Sequence, residues 1–245
     1  KMLKFSDNGK TEILDIPANE KEKAEELQSE LIEKAAENDE SLMELFFEND
    51  TLTEDEMRKG IKAGLIQRGM FPVFCISAKS NMGVNRLMEF IDNVAPLPYE
   101  MPTPKNAEGN DVVCDKSGNT SLFVFKTSVE SHIGEINFFK VMSGEVSEGM
   151  DLVNQNNYTK ERLSQLYVVA GKNRTKVEKM VAGDVGATVK LKNTKSNQTL
   201  NISSADFTYD AIEFPNPKYR AAIKPLSEGD EEKLGEALGR MSQED

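Results

Sequence analysis

Apolar residues recur at three- and four-residue spacing through residues 19–36, at Ala24, Leu27, Leu31 and Ala35, while Glu22, Glu25, Glu26, Glu30 and Glu33 fall on other faces. That period predicts an amphipathic helix with those four apolar positions as its buried stripe. Asn19 with Glu22 three residues later predicts a capping box, in which each side chain satisfies a backbone N–H that the first helical turn leaves free. Thr53 and Glu56 repeat the device ahead of a second stripe, Met57, Ile61 and Leu65. Residues 71–76 then run apolar without alternation, the mark of a strand covered on both sides. Ser77, Ala78 and Lys79 leave that run, Asn81-Met82-Gly83 turns the chain, and Val84, Leu87, Met88 and Ile91 predict a helix that ends before Pro96. Strand, loop and helix in that order are the grammar of an α/β unit.

Pro96, Pro98, Pro102 and Pro104 crowd a stretch that resists both helix and central strand, which predicts a boundary: a first domain over 1–98 and a linker over 99–120. Beyond it the period shortens to two. Runs rich in β-branched and aromatic residues at 122–127, 135–142, 150–154, 163–169 and 185–191, separated by glycine-bearing turns, predict an all-β domain over 121–211, a sandwich or barrel. Phe123, Phe125, Phe138 and Phe139 read as its alternating occupants. Residues 213–225 predict one more strand and 230–241 a helix with Leu234, Ala237, Leu238 and Met241 inside. One strand and one helix make no core, so 212–245 is expected to open a third domain, with Lys1 and Asp245 as internal cuts of a longer chain.

The side-chain inventory narrows the chemistry. With two cysteines and one histidine in 245 residues, neither a disulfide framework nor a Cys/His zinc site can be assembled, and a reduced, cytosolic setting is expected. A histidine-dependent triad would have only His132, and no Gly-x-Ser-x-Gly elbow supplies a nucleophile. No apolar run approaches the roughly 20 residues of a membrane-spanning helix. The phosphate-loop pattern Gly-x-x-x-x-Gly-Lys-Ser/Thr is absent, because Met150 follows the nearest spacing, Gly144 to Gly149, and no Gly-x-Gly-x-x-Gly follows a strand.

The charge of −12 is unevenly placed. Residues 19–60 carry 15 Asp/Glu against 5 Lys/Arg, while 121–200 carry 11 Lys/Arg against 8 Asp/Glu. The acidic stretch reads either as a solvated face or as a docking face for a basic partner, centred on Glu22, Glu26 and Glu33. In the basic stretch Lys160, Arg162, Lys172, Arg174, Lys176 and Lys179 lie close in sequence. Such side chains on one face would displace counterions from RNA phosphates, with the His132 imidazole as a further contact.

Residues 71–98, from Phe71-Pro-Val-Phe-Cys-Ile-Ser-Ala-Lys79 through Asn81-Met-Gly83 to Pro96-Leu-Pro98, resemble the end of the GTPase domain of translational GTPases, most of all the elongation factor G family. Ile16-Pro17, the stretch 36–43 and Leu52-Thr-Glu-Asp-Glu56 resemble the later part of the helical subdomain inserted in that domain. Phe123-Val-Phe-Lys126, Ile133-Gly134-Glu135, Phe139-Lys-Val-Met-Ser-Gly144, Gly149 and the stretch 181–187 resemble the family's second domain. Phe214-Pro215, Ala222-Ile-Lys-Pro225 and the stretch 230–238 resemble the opening of its ferredoxin-like third.

The resemblance implies an internal stretch of a ribosomal translocation GTPase that binds GTP or GDP with Mg in its full length. It implies that Ser77, Ala78 and Lys79 form the guanine-recognition turn, Ala78 donating its N–H to the guanine carbonyl. It names small-subunit ribosomal RNA as partner for the basic stretch and the ribosomal stalk protein for the acidic helix, in the cytoplasm and away from membranes. Without a phosphate loop or switches, the chain itself is expected to hold no nucleotide and no catalytic residue. Ser196-Asn-Gln-Thr-Leu200 replaces the family's Gly-Asp-Thr-Leu turn, and Ser131-His132 stands where a ring is usual; both point to a divergent paralogue. The competing readings are a tetracycline-resistance-type or release-type ribosomal GTPase, and a ribosome-binding module without nucleotide chemistry.

Overall fold

A computed structural model describes residues 1–6, 10–130 and 134–243. The chain divides into two compact units, 1–101 and 102–245.

The first unit opens with an antiparallel hairpin, β1 (Met2–Phe5) and β2 (Thr11–Leu14), followed by helices α1 (Ala18–Ala36), α2 (Glu40–Asn49), α3 (Glu54–Ile66) and α4 (Val84–Val94) and a 3-10 turn at Pro98–Glu100. The Thr53–Glu56 capping box forms: Glu56 Oε2 accepts the Thr53 N–H at 2.8 Å and Thr53 Oγ1 accepts the Glu56 N–H at 3.4 Å. Asp39 caps α2 by accepting the N–H groups of Ser41 and Leu42. These bonds favour the ionised carboxyls: the Ser41 side chain lowers the pKa of Asp39 most, and the Thr53 backbone N–H lowers that of Glu56.

The box expected at Asn19 does not form. Pro17, without an N–H of its own, precedes the first helical residue, so Asn19 lies inside the first turn and its amide meets Glu20 at 3.1 Å instead. The buried stripe of α1 also differs from the expected one. Ile32, Ala35 and Ala36 are buried, whereas Leu27 and Leu31 are 54% and 43% exposed, because α2 and α3 cover only the later half of the helix. Close approach there depends on Gly60: a Cβ at that position would lie 2.3 Å from the Ala35 carbonyl oxygen.

The covered strand expected at 71–76 is also corrected. Those residues belong to no ladder among the described residues, and Phe71 and Val73 are 77% and 90% exposed. The composition suits a buried strand, but burial needs neighbours that pair with it and none is described.

The second unit is mostly antiparallel sheet. Its strands are β3 (Ser121–Glu130), β4 (Gly134–Ser143), β5 (Glu145–Ser147), β6 (Asp151–Asn154), β7 (Thr159–Arg162), β8 (Leu166–Ala170), β9 (Asn173–Val177), β10 (Lys179–Val181), β11 (Val185–Val189) and β12 (Gln198–Asn201). Eight of them run in the order β7-β6-β12-β3-β4-β11-β8-β9, and β5 pairs with β10. Alternation directs Leu122, Val124, Phe139, Val141, Leu152, Leu166 and Leu200 inward, and Val146 and Met180 of the small sheet join the same core. The result is a β-barrel-like domain. The strand expected over 163–169 begins only at Leu166, as β8, because Leu163 follows the end of β7 and donates its N–H to the Met150 carbonyl.

Residues 102–120 form no long strand or helix yet lie in this unit. Asn106 and Val112 are buried and Gly144 donates its N–H to the Asp115 carbonyl. At 213–225 no ladder forms among the described residues, consistent with Pro215 and Pro217 removing donors. The helix expected next is α5 (Glu231–Gln243); of its expected inner side Leu234 and Ala237 are half-buried, while Leu238 and Met241 are 43% and 67% exposed.

One end of the barrel is tied by hydroxyl and amide groups. Ser121 donates its proton to Asn201 Oδ1 at 2.6 Å, which leaves the Tyr209 hydroxyl to donate to Ser121 at 2.8 Å. Burial raises the Tyr209 phenol to about 12, and the proton it donates to Ser121 belongs to the neutral form. The neutral phenol is therefore the form the folded state prefers. Its contribution is complete below the unfolded phenol value near 10 and is lost as pH rises toward 12. Urea midpoints from pH 8 to 11.5 are expected to fall more steeply above roughly pH 10 for the native chain than for Tyr209→Phe; parallel curves would refute the linkage.

Candidate functional site

Three surfaces carry the candidate residues. The first is the turn after the 71–76 segment. Ser77 and Met82 exchange backbone hydrogen bonds at 3.0 and 2.9 Å, Ser77 Oγ accepts the Ser80 N–H, and the Ala78 carbonyl accepts the Asn81 N–H. Asn81 and Gly83 take positive φ of 52° and 73° to return the chain into α4, and a Cβ at Gly83 would press on Ile76 at 3.1 Å. Ala78 and Lys79 are left on the outside, and among the described residues the Ala78 N–H makes no hydrogen bond. A backbone donor held at the crest of a closed turn suits a carbonyl acceptor on a planar ligand. This turn is placed by local bonds alone.

The second surface is α1. Glu22, Glu26 and Glu33, spaced four and seven apart, share one exposed helical face.

The third is the barrel, where the basic residues are dispersed. Lys160 and Arg162 lie on β7, at one end of the strand order, and Arg174 and Lys176 on β9, at the other, with Lys172 in the turn before β9. Arg162 is paired with Asp151 at 3.2 Å, Arg174 with Glu130, Lys176 with Glu148 at 2.8 Å and Lys179 with Glu145 at 2.7 Å. Of the six cations, Lys160 and Lys172 have no ion pair among the described residues. His132 lies outside the described residues.

A group that the sequence reading passed over sits at the mouth of β7. Glu161 is 3% exposed, and its carboxylate accepts the N–H groups of Lys192 and Asn193 and the hydroxyl of Thr194. Asn154 adds bonds to the Asn193 carbonyl and Thr194 Oγ1, and Asn137 donates to the Thr194 carbonyl. The loop from β11 to β12 is thereby fastened to the β6–β7 turn. In sequence the only trace of it is an acid alternating with cations in Lys160-Glu161-Arg162.

Among the described residues no group of three or more His, Cys, Asp or Glu side chains could hold a metal, and no helix is long and apolar enough to cross a membrane.

Residues 119–203 match the family model of elongation factor G domain 2. The chain is also similar to the crystal structure of ttk003000868 from Thermus thermophilus, with a TM-score of 0.76 and 26% identity, over 99% of this chain and 35% of that one. It therefore spans about a third of that structure's length.

Proposed function

We propose, for an elongation factor G-like chain whose residues 119–203 match that factor's second domain, that it works within a translocation GTPase of polypeptide elongation. In this reading 1–98 are the end of the GTPase domain with its inserted helices, 99–120 the linker, 121–211 the barrel and 212–245 the opening of a ferredoxin-like third domain. The domain 2 match, in line with family-like stretches in the family's order on either side of it, carries the reading.

Ser77, Ala78 and Lys79 would hold the guanine end of GTP or GDP. The exposed, unbonded Ala78 N–H fits that task, since a carbonyl acceptor needs an outward donor held in place. Bound GTP with Mg²⁺ supplies a cleavable phosphoanhydride whose state biases the docking of the whole protein. No motif in these 245 residues cradles the phosphates, so this chain contributes one edge of the base pocket and the docking surfaces. Small-subunit ribosomal RNA is the partner for the barrel through Lys160, Arg162, Lys172, Arg174 and Lys176, with the His132 imidazole as a further contact. The ribosomal stalk protein is the partner for Glu22, Glu26 and Glu33.

Co-sedimentation of the chain with ribosomes over a salt series tests the reading. Binding is expected at roughly 50 mM salt and should fall steeply toward 200 mM as phosphate counterions compete. Absence of binding at the lowest salt would overturn it for this chain.

A further inference from the structure

We propose that the barrel meets RNA phosphates through the loop joining β11 to β12 and the adjoining β6–β7 turn, a surface formed by Lys160, Lys190, Lys192 and Lys195 with Tyr158 among them. The assignment rests on the reading of the chain as ribosome-binding and names where on the barrel that contact lies.

All four lysines are exposed, and none has an ion pair among the described residues. Arg162, Arg174, Lys176 and Lys179 differ in this respect, each being already held by a carboxylate. Breaking such a pair to engage a phosphate exchanges one ionic partner for another, whereas a free ammonium gives its full counterion release. The acid nearest the lysine cluster in sequence is removed from the surface: Glu161 is buried and spends both carboxylate oxygens on the loop. In a chain of net charge −12, four uncompensated cations on two bonded turns form a local field of the opposite sign.

The two turns are one surface because side chains of β7 and the β6–β7 turn bind the loop. Asn157 donates to the Asn193 carbonyl at 2.7 Å, and Glu161 binds Lys192, Asn193 and Thr194. Between them Tyr158, at φ 60°, is 75% exposed. A phenol ring standing in water beside lysines offers a stacking face for an unpaired base. Lysines that reach phosphates, an open ring and exposed asparagine amides fit an RNA backbone better than an acidic protein, for which the ring and amides have no special use.

The test uses the full chain and two probes, a 20-base-pair RNA duplex and purified small ribosomal subunits. Lys160→Gln/Lys192→Gln/Lys195→Gln is compared with Lys105→Gln/Lys116→Gln, two exposed lysines outside the proposed contacts, both checked for an unchanged urea midpoint. For the first variant the slope of log affinity against log salt on the duplex is expected to drop by about 2 to 3, with at least about tenfold weaker binding at 100 mM salt. The second variant should change little. Equal loss in both variants, or loss in the second alone, overturns the surface while the ribosomal reading stands. Duplex binding that falls in the first variant, with no binding to subunits, overturns the ribosomal reading and keeps the surface. Native chain that ignores both RNAs and binds polyglutamate overturns the surface as an RNA site.

Discussion

Glu161→Ala is expected to lower the unfolding free energy of the barrel by about 3 kcal/mol, because three donors lose a charged acceptor inside the fold. The carboxylate is 3% exposed, and the N–H groups of Lys192 and Asn193 and the Thr194 hydroxyl all converge on it. Alanine leaves a void and two backbone donors that the turn cannot redirect without moving. With m values of about 1–3 kcal/mol per M of urea, the midpoint should fall by at least about 1 M. Glu161→Gln keeps the shape and one acceptor but turns an NH₂ toward donors, so it should fall between the two. A midpoint for Glu161→Ala within error of the native chain would show that the loop is held by other bonds. Because Lys192 and Lys195 ride on this loop, RNA affinity should drop with the same substitution even though no cation is removed.

Gly144→Ala is expected to cost a similar amount, about 3 kcal/mol, from two sources. Gly144 has φ +76°, where a side chain costs about 1–2 kcal/mol, and overpacking adds about 1–3 kcal/mol. The added Cβ would sit 2.6 Å from the Cα and N of Thr120 and 2.8 Å from the Gly118 carbonyl, all backbone atoms with little room to yield. The same residue donates its N–H to the Asp115 carbonyl and accepts the N–H of Ala182. Displacing it should loosen 105–118 from the end of β4 as well as destabilise the barrel. Limited proteolysis should therefore show faster cleavage within 105–118, together with a lower urea midpoint. An unchanged midpoint would mean that the turn relaxes around a methyl group.

What the sequence made legible follows how local each determinant is. The start of α3 was readable because Thr53 and Glu56 lie three residues apart and need nothing else. The stripe of α1 was not, because its period is set by the helix but its burial is set by which turns α2 and α3 reach. The strands of the barrel were recovered where apolar alternation is strong, as in β3, β4 and β11. They were missed in β7, β9 and β12, whose Thr-Lys-Glu-Arg, Asn-Arg-Thr-Lys-Val and Gln-Thr-Leu-Asn give alternation little apolar phase to follow. The same lack of phase hid Glu161: in a basic run it reads as a surface counter-charge, and only the pairing of β6 with β7 turns it inward. The Ser77–Met82 turn lies at the other extreme, closed by bonds within six residues.

The way the lysine loop is fastened also has a consequence for the order of events during synthesis. Its shape is set by Asn137, Asn154 and Glu161, all made well before residues 192–194, so the loop closes only after a long stretch of chain has already condensed. A nascent or partly folded chain has the same four lysines but no common surface for them, and a net charge of −12 that repels RNA. Affinity for RNA, if it lies on the proposed surface, is in this sense a certificate of completion. On the proposed surface it would be acquired as this loop closes, and a chain stalled before that step would lack the surface.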